Sequence, residues 1–190
     1  MAKATAGMTS SITRRWLRGV LLITMVLLVL AETLFLYSTY DNLYGSVRQA
    51  MFNRFSTIEG QLRATGTAGD TDETAYSRGR ALRRIVEMFD EKDKFEFMLL
   101  DGSGMVLTTS SGTFSQELAA GDDFYQAVTG SSGAGVSTFR TSAGERVMAV
   151  SVLVPYAADG ITAMRLVTSL TLVDRQMVQY VLISLGLVLL

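Results

Sequence analysis

KFEFMLLDGSGMVLTT, residues 94–109, decides how the middle of this chain folds. Phe95, Phe97 and Leu99 alternate with Lys94, Glu96 and Met98, the period of two that a strand imposes on its side chains. Asp101-Gly102-Ser103-Gly104 then supplies turn chemistry, and residues 105–109 return as a second strand, so the stretch reads as a β-hairpin. Downstream, residues 136–141, 146–156 and 161–172 read as three further strands. Their connections, 142–145 and 157–160, are too short for crossovers, which makes the strands antiparallel neighbours. Before them, Gly121-Asp122-Asp123 opens a short helix over 124–129 with the acidic pair as its cap, and residues 130–135 are rich enough in glycine and serine to read as loop.

Upstream the period changes. Leu43, Val47, Met51, Phe55, Ile58 and Leu62 recur every three or four residues, the stripe of an amphipathic helix. Residues 65–69 (TGTAG) break it. A second helix follows, with Asp70 or Thr71 as its cap and Tyr76, Leu82, Ile85 and Phe89 as its buried side. Arg78, Arg80, Arg83 and Arg84 read as its solvated face, with a ligand-facing or lipid-facing cluster as the alternative. The order of elements predicts an α+β domain, an antiparallel sheet of five strands with helices on one face.

Two apolar segments frame this domain. Residues 17–37 (LRGVLLITMVLLVLAETLFLY) are long enough to span, since about 21 residues at roughly 1.5 Å each cross a hydrocarbon core of about 30 Å. Lys3, Arg14, Arg15 and Arg18 flank the amino-terminal side with no acid among them, a bias that holds this end in the cytoplasm. Residues 38–176, with 17 acidic and 13 basic side chains, then lie outside it. The plan is a cytoplasmic terminus (1–16), a transmembrane helix (17–37), an extracytoplasmic domain (38–176) and the start of a second, truncated transmembrane helix (177–190). Val29-Leu30-Ala31 also suits a cleaved signal peptide, but the apolar run continues through Leu34, Phe35, Leu36 and Tyr37, which favours an uncleaved anchor. No proline interrupts residues 17–64, so the membrane helix is expected to continue into the domain as one rod. Glu32 lies inside the span, where a carboxylate is costly unless it reaches the headgroups or a polar partner.

Composition removes whole classes of chemistry. The 190 residues hold no histidine and no cysteine, which excludes His-containing zinc sites, Ser-His-Asp and Cys-His nucleophiles, disulfides and a phospho-accepting histidine within the chain. No glycine-rich phosphate loop and no basic stripe with interleaved aromatics is present, so neither nucleotide nor nucleic-acid binding is expected. No metal or cofactor is implied, and catalysis by this chain is not expected.

Three local patterns carry a resemblance: Leu99, Leu100, Asp101, Gly104, Val106 and Leu107 in the hairpin; Asp123, Phe124, Ala127 and Gly130 around the short helix; and Val154, Pro155 and Tyr156 ahead of Gly160. Together, and flanked by two apolar segments, they resemble the PAS-like extracytoplasmic sensor domains, called PDC or Cache domains, of bacterial sensor histidine kinases and chemoreceptors. Where such domains often carry a glycine after the last turn, this chain has Ala163-Met164-Arg165, which leaves the packing of the final strand open. The resemblance implies a homodimeric input module of a two-component sensor histidine kinase, with its phosphorylated helix beyond Leu190. Input to a chemoreceptor or diguanylate cyclase, or a two-span envelope scaffold, are the alternatives. It also implies a small anionic ligand, an organic acid or amino acid, held between the sheet and the short helix, or else an envelope protein partner. Phe124, Tyr125, Arg140, Tyr156 and Arg165 are the contacts this would use, with an arginine clamping a carboxylate through parallel charge-assisted bonds. The arginines' other expected role is pairing with surface acids.

Overall fold

The computed structural model describes residues 6–64, 72–112 and 121–188, and the chain divides into two compact units, Tyr44–Asp174 and Met1–Leu43 with Arg175–Leu190. The first unit holds the sheet. Strands β1 (Glu96–Leu100) and β2 (Val106–Thr109) form the expected hairpin, and β3 (Ala134–Arg140), β4 (Arg146–Ala158) and β5 (Ile161–Ser169) form a meander. The order is β2-β1-β5-β4-β3 and every pairing is antiparallel.

The turns explain the register. At the β1–β2 turn, Asp101 Oδ1 accepts hydrogen bonds from the Ser103 hydroxyl at 2.7 Å and from the Ser103 and Met105 amides at 2.9 Å each. Gly104 takes φ 84°, which a side chain rarely tolerates. At the β4–β5 turn, Asp159 (φ 52°) and Gly160 (φ 79°) are both left-handed, the backbone of a two-residue hairpin turn whose twist matches the strands. The ladder between these strands is irregular from Leu153 to Ala158, the stretch that contains Pro155 and so lacks one amide donor.

Strict alternation fails in β1, where Phe97, Met98, Leu99 and Leu100 are all buried. The cause is position: β1 lies inside the sheet and is covered on both faces. Phe97 and Leu99 face the main core, formed with Met51, Phe55, Ile58 and Leu62 of α1 (Ala6–Ala64) and with Leu82 and Val86 of α2 (Asp72–Glu87). Leu100 faces the opposite side, against Phe124 of α3 (Asp122–Thr129). The helices therefore cover both faces, not the one face that element order suggested.

Other expectations are corrected. Tyr76 is exposed, with the Arg80 guanidinium 4.6 Å over its ring, while Val86 takes the buried place. Tyr76 and Leu82 are six residues apart, a spacing that at about 3.6 residues per turn puts them about a third of a turn apart around the helix. Arg78 is buried, so the arginine row is not uniformly solvated. The last strand ends at Ser169 rather than at residue 172, because Ser169 Oγ accepts from the Thr171 amide at 3.2 Å and starts α4 (Thr171–Val188). Glu145 reinforces that start by accepting from the Thr171 and Ser169 hydroxyls. The helix break at 65–69 and the caps proposed at Asp70 and Thr71 lie outside the described residues. In the second unit, Leu17, Leu21, Ile23, Leu27, Leu30 and Leu34 are exposed, and α1 is the one described helix that is long and apolar enough to cross a membrane.

The Asp101 bonds, that of the Ser103 hydroxyl first and of the Met105 amide next, hold its carboxyl below the usual range. What it contributes to the hairpin is therefore complete above the ordinary aspartate pKa and is lost as the pH falls through the lowered value. Asp101→Ala is expected to speed amide exchange at Ser103 and Met105 selectively, as read by mass spectrometry. Unchanged exchange at both would refute this role.

Candidate functional site

Helix α3 lies across the face of the sheet opposite α1 and α2. Two features seat it there. Gly135 of β3 has no side chain, and a Cβ at this position would overlap the Asp123 carbonyl oxygen and lie 2.7 Å from Gln126 Cβ and 2.8 Å from Ala127 N. The glycine stretch read as loop thus ends inside a strand, because only a bare backbone admits the helix this closely. The second feature is electrostatic. Asp123, in the first turn of α3, and Arg165, in the middle of β5, are both completely buried and paired in the parallel, two-bond geometry, Nε to Oδ2 at 2.7 Å and Nη2 to Oδ1 at 2.9 Å. Ser137 of β3 donates to Oδ1 at 2.9 Å and Ser151 of β4 donates to Oδ2 at 2.6 Å.

Each oxygen of this carboxylate therefore has two donors, and three neighbouring strands contribute them. Register explains the convergence: Ser151 is the cross-strand partner of both Gly135 and Arg165, so one row of the sheet carries the glycine, the serine and the guanidinium. Burial raises the Asp123 pKa and is the largest single influence. The hydrogen bond and charge of Arg165, with the bonds from Ser151 and Ser137, together outweigh it and leave the carboxyl below the usual range.

The five residues expected to contact a ligand are distributed as follows. Phe124 is buried in the layer beneath α3, and Tyr125 beside it is 61% exposed. Arg165 reaches into that layer but holds the chain's own carboxylate, so an external anion must displace Asp123 to use it. Arg140, near the far end of β3, is exposed and donates to the Gly144 carbonyl of its own turn at 3.2 Å. Tyr156 lies on β4, and its side chain is outside the described residues. Asp123, read from sequence as part of a cap, is instead the buried partner; the helix N-cap is Gly121, which makes no side-chain cap bond. An acid in the first turn of a helix carries no sequence mark that separates these roles.

A second polar cluster joins the two ends of the same unit. Arg146 Nη1, at the start of β4, donates to Asp174 Oδ1 of α4 at 2.8 Å and to the Tyr44 hydroxyl of α1 at 3.0 Å, while the Tyr44 hydroxyl also bonds Asp174. The Arg146 guanidinium lies 5.2 Å from the Tyr44 ring centroid. All three side chains are part-buried, and none was singled out by sequence.

No protein-family model matches the chain, and comparison with curated proteins finds no match. Among solved structures, the chain is similar to the ligand-binding domain of the amino-acid chemoreceptor PctC of Pseudomonas aeruginosa PAO1, determined in complex with GABA. The likeness has a TM-score of 0.45 at 16% identity, over 75% of this chain and 59% of that one. This chain thus spans about three fifths of that domain.

Asp123→Asn strands the Arg165 charge in the interior, where breaking a buried pair costs about 3–5 kcal/mol. The folded pKa of Asp123 is lowered, so its contribution is complete above the ordinary value of about 3.9 and is lost as pH falls through the lower one. Thermal melting of the full chain in detergent, followed by circular dichroism, should show wild type well above the variant at pH 7 and the gap closing below about pH 4. A constant gap across that range would contradict the assignment.

Proposed function

We propose that this chain is the signal-sensing input module of a bacterial membrane receptor, and that its output is a two-component histidine kinase. The observation that carries the reading is the corner where the sheet unit begins and ends. Tyr44 on α1 and Asp174 on α4 are bonded to each other and to Arg146 at the start of β4, so the chain enters and leaves the unit at one point. A change in the sheet at β4 therefore acts on both chain ends at once. The α+β fold, the apolar length of α1 and the hairpin, short-helix and Val-Pro-Tyr patterns support the same reading. Residues 1–190 hold no histidine, so on this reading the phosphorylated side chain is not one of them.

The corner is suited to switching because it is only partly buried. The Arg146 and Asp174 side chains retain 26% and 31% of their exposure, so the pair is weaker than the fully buried Asp123–Arg165 pair. A stimulus that favours one arrangement of the corner by a few kcal/mol is enough to change the output, whereas equal affinity for both arrangements transmits nothing.

Orientation is tested by cysteine labelling, which the absence of native cysteine makes clean. Ser46→Cys and Ser132→Cys should react with a membrane-impermeant thiol reagent on intact cells, and Ser10→Cys should not; labelling at residue 10 alone reverses the topology. Output is tested on the full-length protein in proteoliposomes with ATP. Acid-labile, base-stable phosphate is expected on histidine, and Arg146→Ala should change its basal rate at least twofold while Thr138→Ala, at an exposed position of β3, leaves it unaltered. Lack of phosphorylation removes the kinase reading, and a rate insensitive to Arg146 removes the corner as the relay.

A further inference from the structure

Of residues 15–43 of α1, only Glu32, Leu36, Thr39 and Leu43 are withdrawn from full exposure, and they recur every three or four residues along one face of the helix. Of residues 175–186 of α4, only Met177 and Ser184 are withdrawn, about two turns apart on one face. Both segments belong to the same compact unit, so the stripes mark where the two helices face each other. Glu32 is the only charged residue between Gly19 and Tyr40, and residues 176–190 carry no charge. It forms no hydrogen bond or ion pair among the described residues. Ser184 is 9% exposed, and its Oγ is buried with no hydrogen-bond partner among them. A hydroxyl on an apolar helix ordinarily donates to the carbonyl four residues back. Thr24 does so to Val20 at 2.9 Å and Thr33 to Val29 at 2.8 Å, but Ser184 does not, so its proton is not committed to its own helix.

Depth matches the two unmet groups. The helices are joined by the hydrogen bond between Tyr44 and Asp174. Glu32 is twelve residues from that bond along α1 and Ser184 ten along α4, about 18 Å and about 15 Å at roughly 1.5 Å per residue. Gln176 and Gln179, at about 3 Å and about 8 Å, stop well short of Glu32 and are exposed. We infer that Glu32 and Ser184 form a switchable hydrogen bond between the two helices, the Ser184 hydroxyl donating to the Glu32 carboxyl, and that this bond sets the register of α4 against α1. The structure holds the unbonded arrangement; the rotatable bonds of the glutamate side chain let its carboxyl turn to the hydroxyl with both backbones in place. Within hydrocarbon neither group has water as an alternative partner, which is why a carboxylate at this depth calls for one from the protein. Sliding α4 by one turn, about 5.4 Å, takes the hydroxyl out of reach, so the bond separates two registers. The contact rests on α1 and α4 both lying in the membrane, and its part in signalling rests on the sensory reading above.

The test is disulfide formation in membranes holding the full chain, which has no native cysteine. Thr39→Cys with Met177→Cys, both half-buried on the facing stripes, reports the register through the rate at which copper phenanthroline joins the pair. Ser184→Ala and Glu32→Leu should each change that rate at least threefold, and the two together should change it no further than either alone. Glu32→Gln, whose amide oxygen still accepts, should keep the parent rate, as should Thr24→Ala, whose hydroxyl serves its own helix. Lack of any disulfide between residues 39 and 177, a rate insensitive to Ser184→Ala, additive effects, or Glu32→Gln behaving as Glu32→Leu overturns the contact and leaves Glu32 to the headgroups or to a second copy. Such a failure leaves the kinase assay and hence the sensory reading intact. In the full-length protein Glu32→Leu should alter basal phosphorylation at least twofold and Glu32→Gln should restore it; a rate unaltered by Glu32→Leu removes the bond from the signal path.

Discussion

The buried ion pair of Asp123 and Arg165 is the constraint around which one whole face of the sheet is arranged. Removing two charges from water is expensive, and mutual attraction offsets the expense only where geometry is good and the remaining lone pairs are met. Here both conditions hold: the guanidinium and carboxylate are in parallel two-bond contact, and Ser137 and Ser151 complete the carboxylate. Lysine in place of Arg165 would offer a point charge with no such fork, so the planar side chain fixes the azimuth of α3 as well as its depth. Gly135 then sets how closely the helix approaches, and Phe124 fills the space beside the pair against Leu100 and Ala163.

The opposite face has another physical basis. There α1 and α2 are held by apolar burial, with Met51, Leu82, Val86, Phe97 and Leu99 essentially inaccessible to water. Such contacts are non-directional and tolerate polar features at their margin, which is where the ion pair between Arg54 of α1 and Glu91 lies. The strict geometry of the molecule thus sits under α3, and its adaptable margin along the two long helices.

The Tyr44, Arg146 and Asp174 cluster differs from both. It is polar, partly solvated and located where the sheet unit meets the rest of the chain, so its contribution is modest and sensitive to salt. Sub-global motions draw on regions of this kind, with exposed polar bonds and few buried apolar contacts. The fully buried pair thus lies at the centre of the unit, and the partly solvated cluster at its two ends.

Much of this was determined by sequence alone, because the features concerned are short-range. The period of two in residues 94–99, the Asp101–Gly104 turn, the stripe from Met51 to Leu62 and the apolar run of α1 each follow from neighbours within a turn or a strand. The absence of histidine and cysteine excluded chemistries without any need of geometry. Tertiary structure alone decided which face α3 covers, that Arg165 answers Asp123 instead of solvent or a ligand, that Gly135 belongs to a strand, and that Tyr44 meets Asp174. Those partners are separated by 42 residues in the buried pair and 130 in the corner cluster. Periodicity tells a side chain which way to face, but what it faces is set by strand order and register, and these become fixed only when the whole sheet closes.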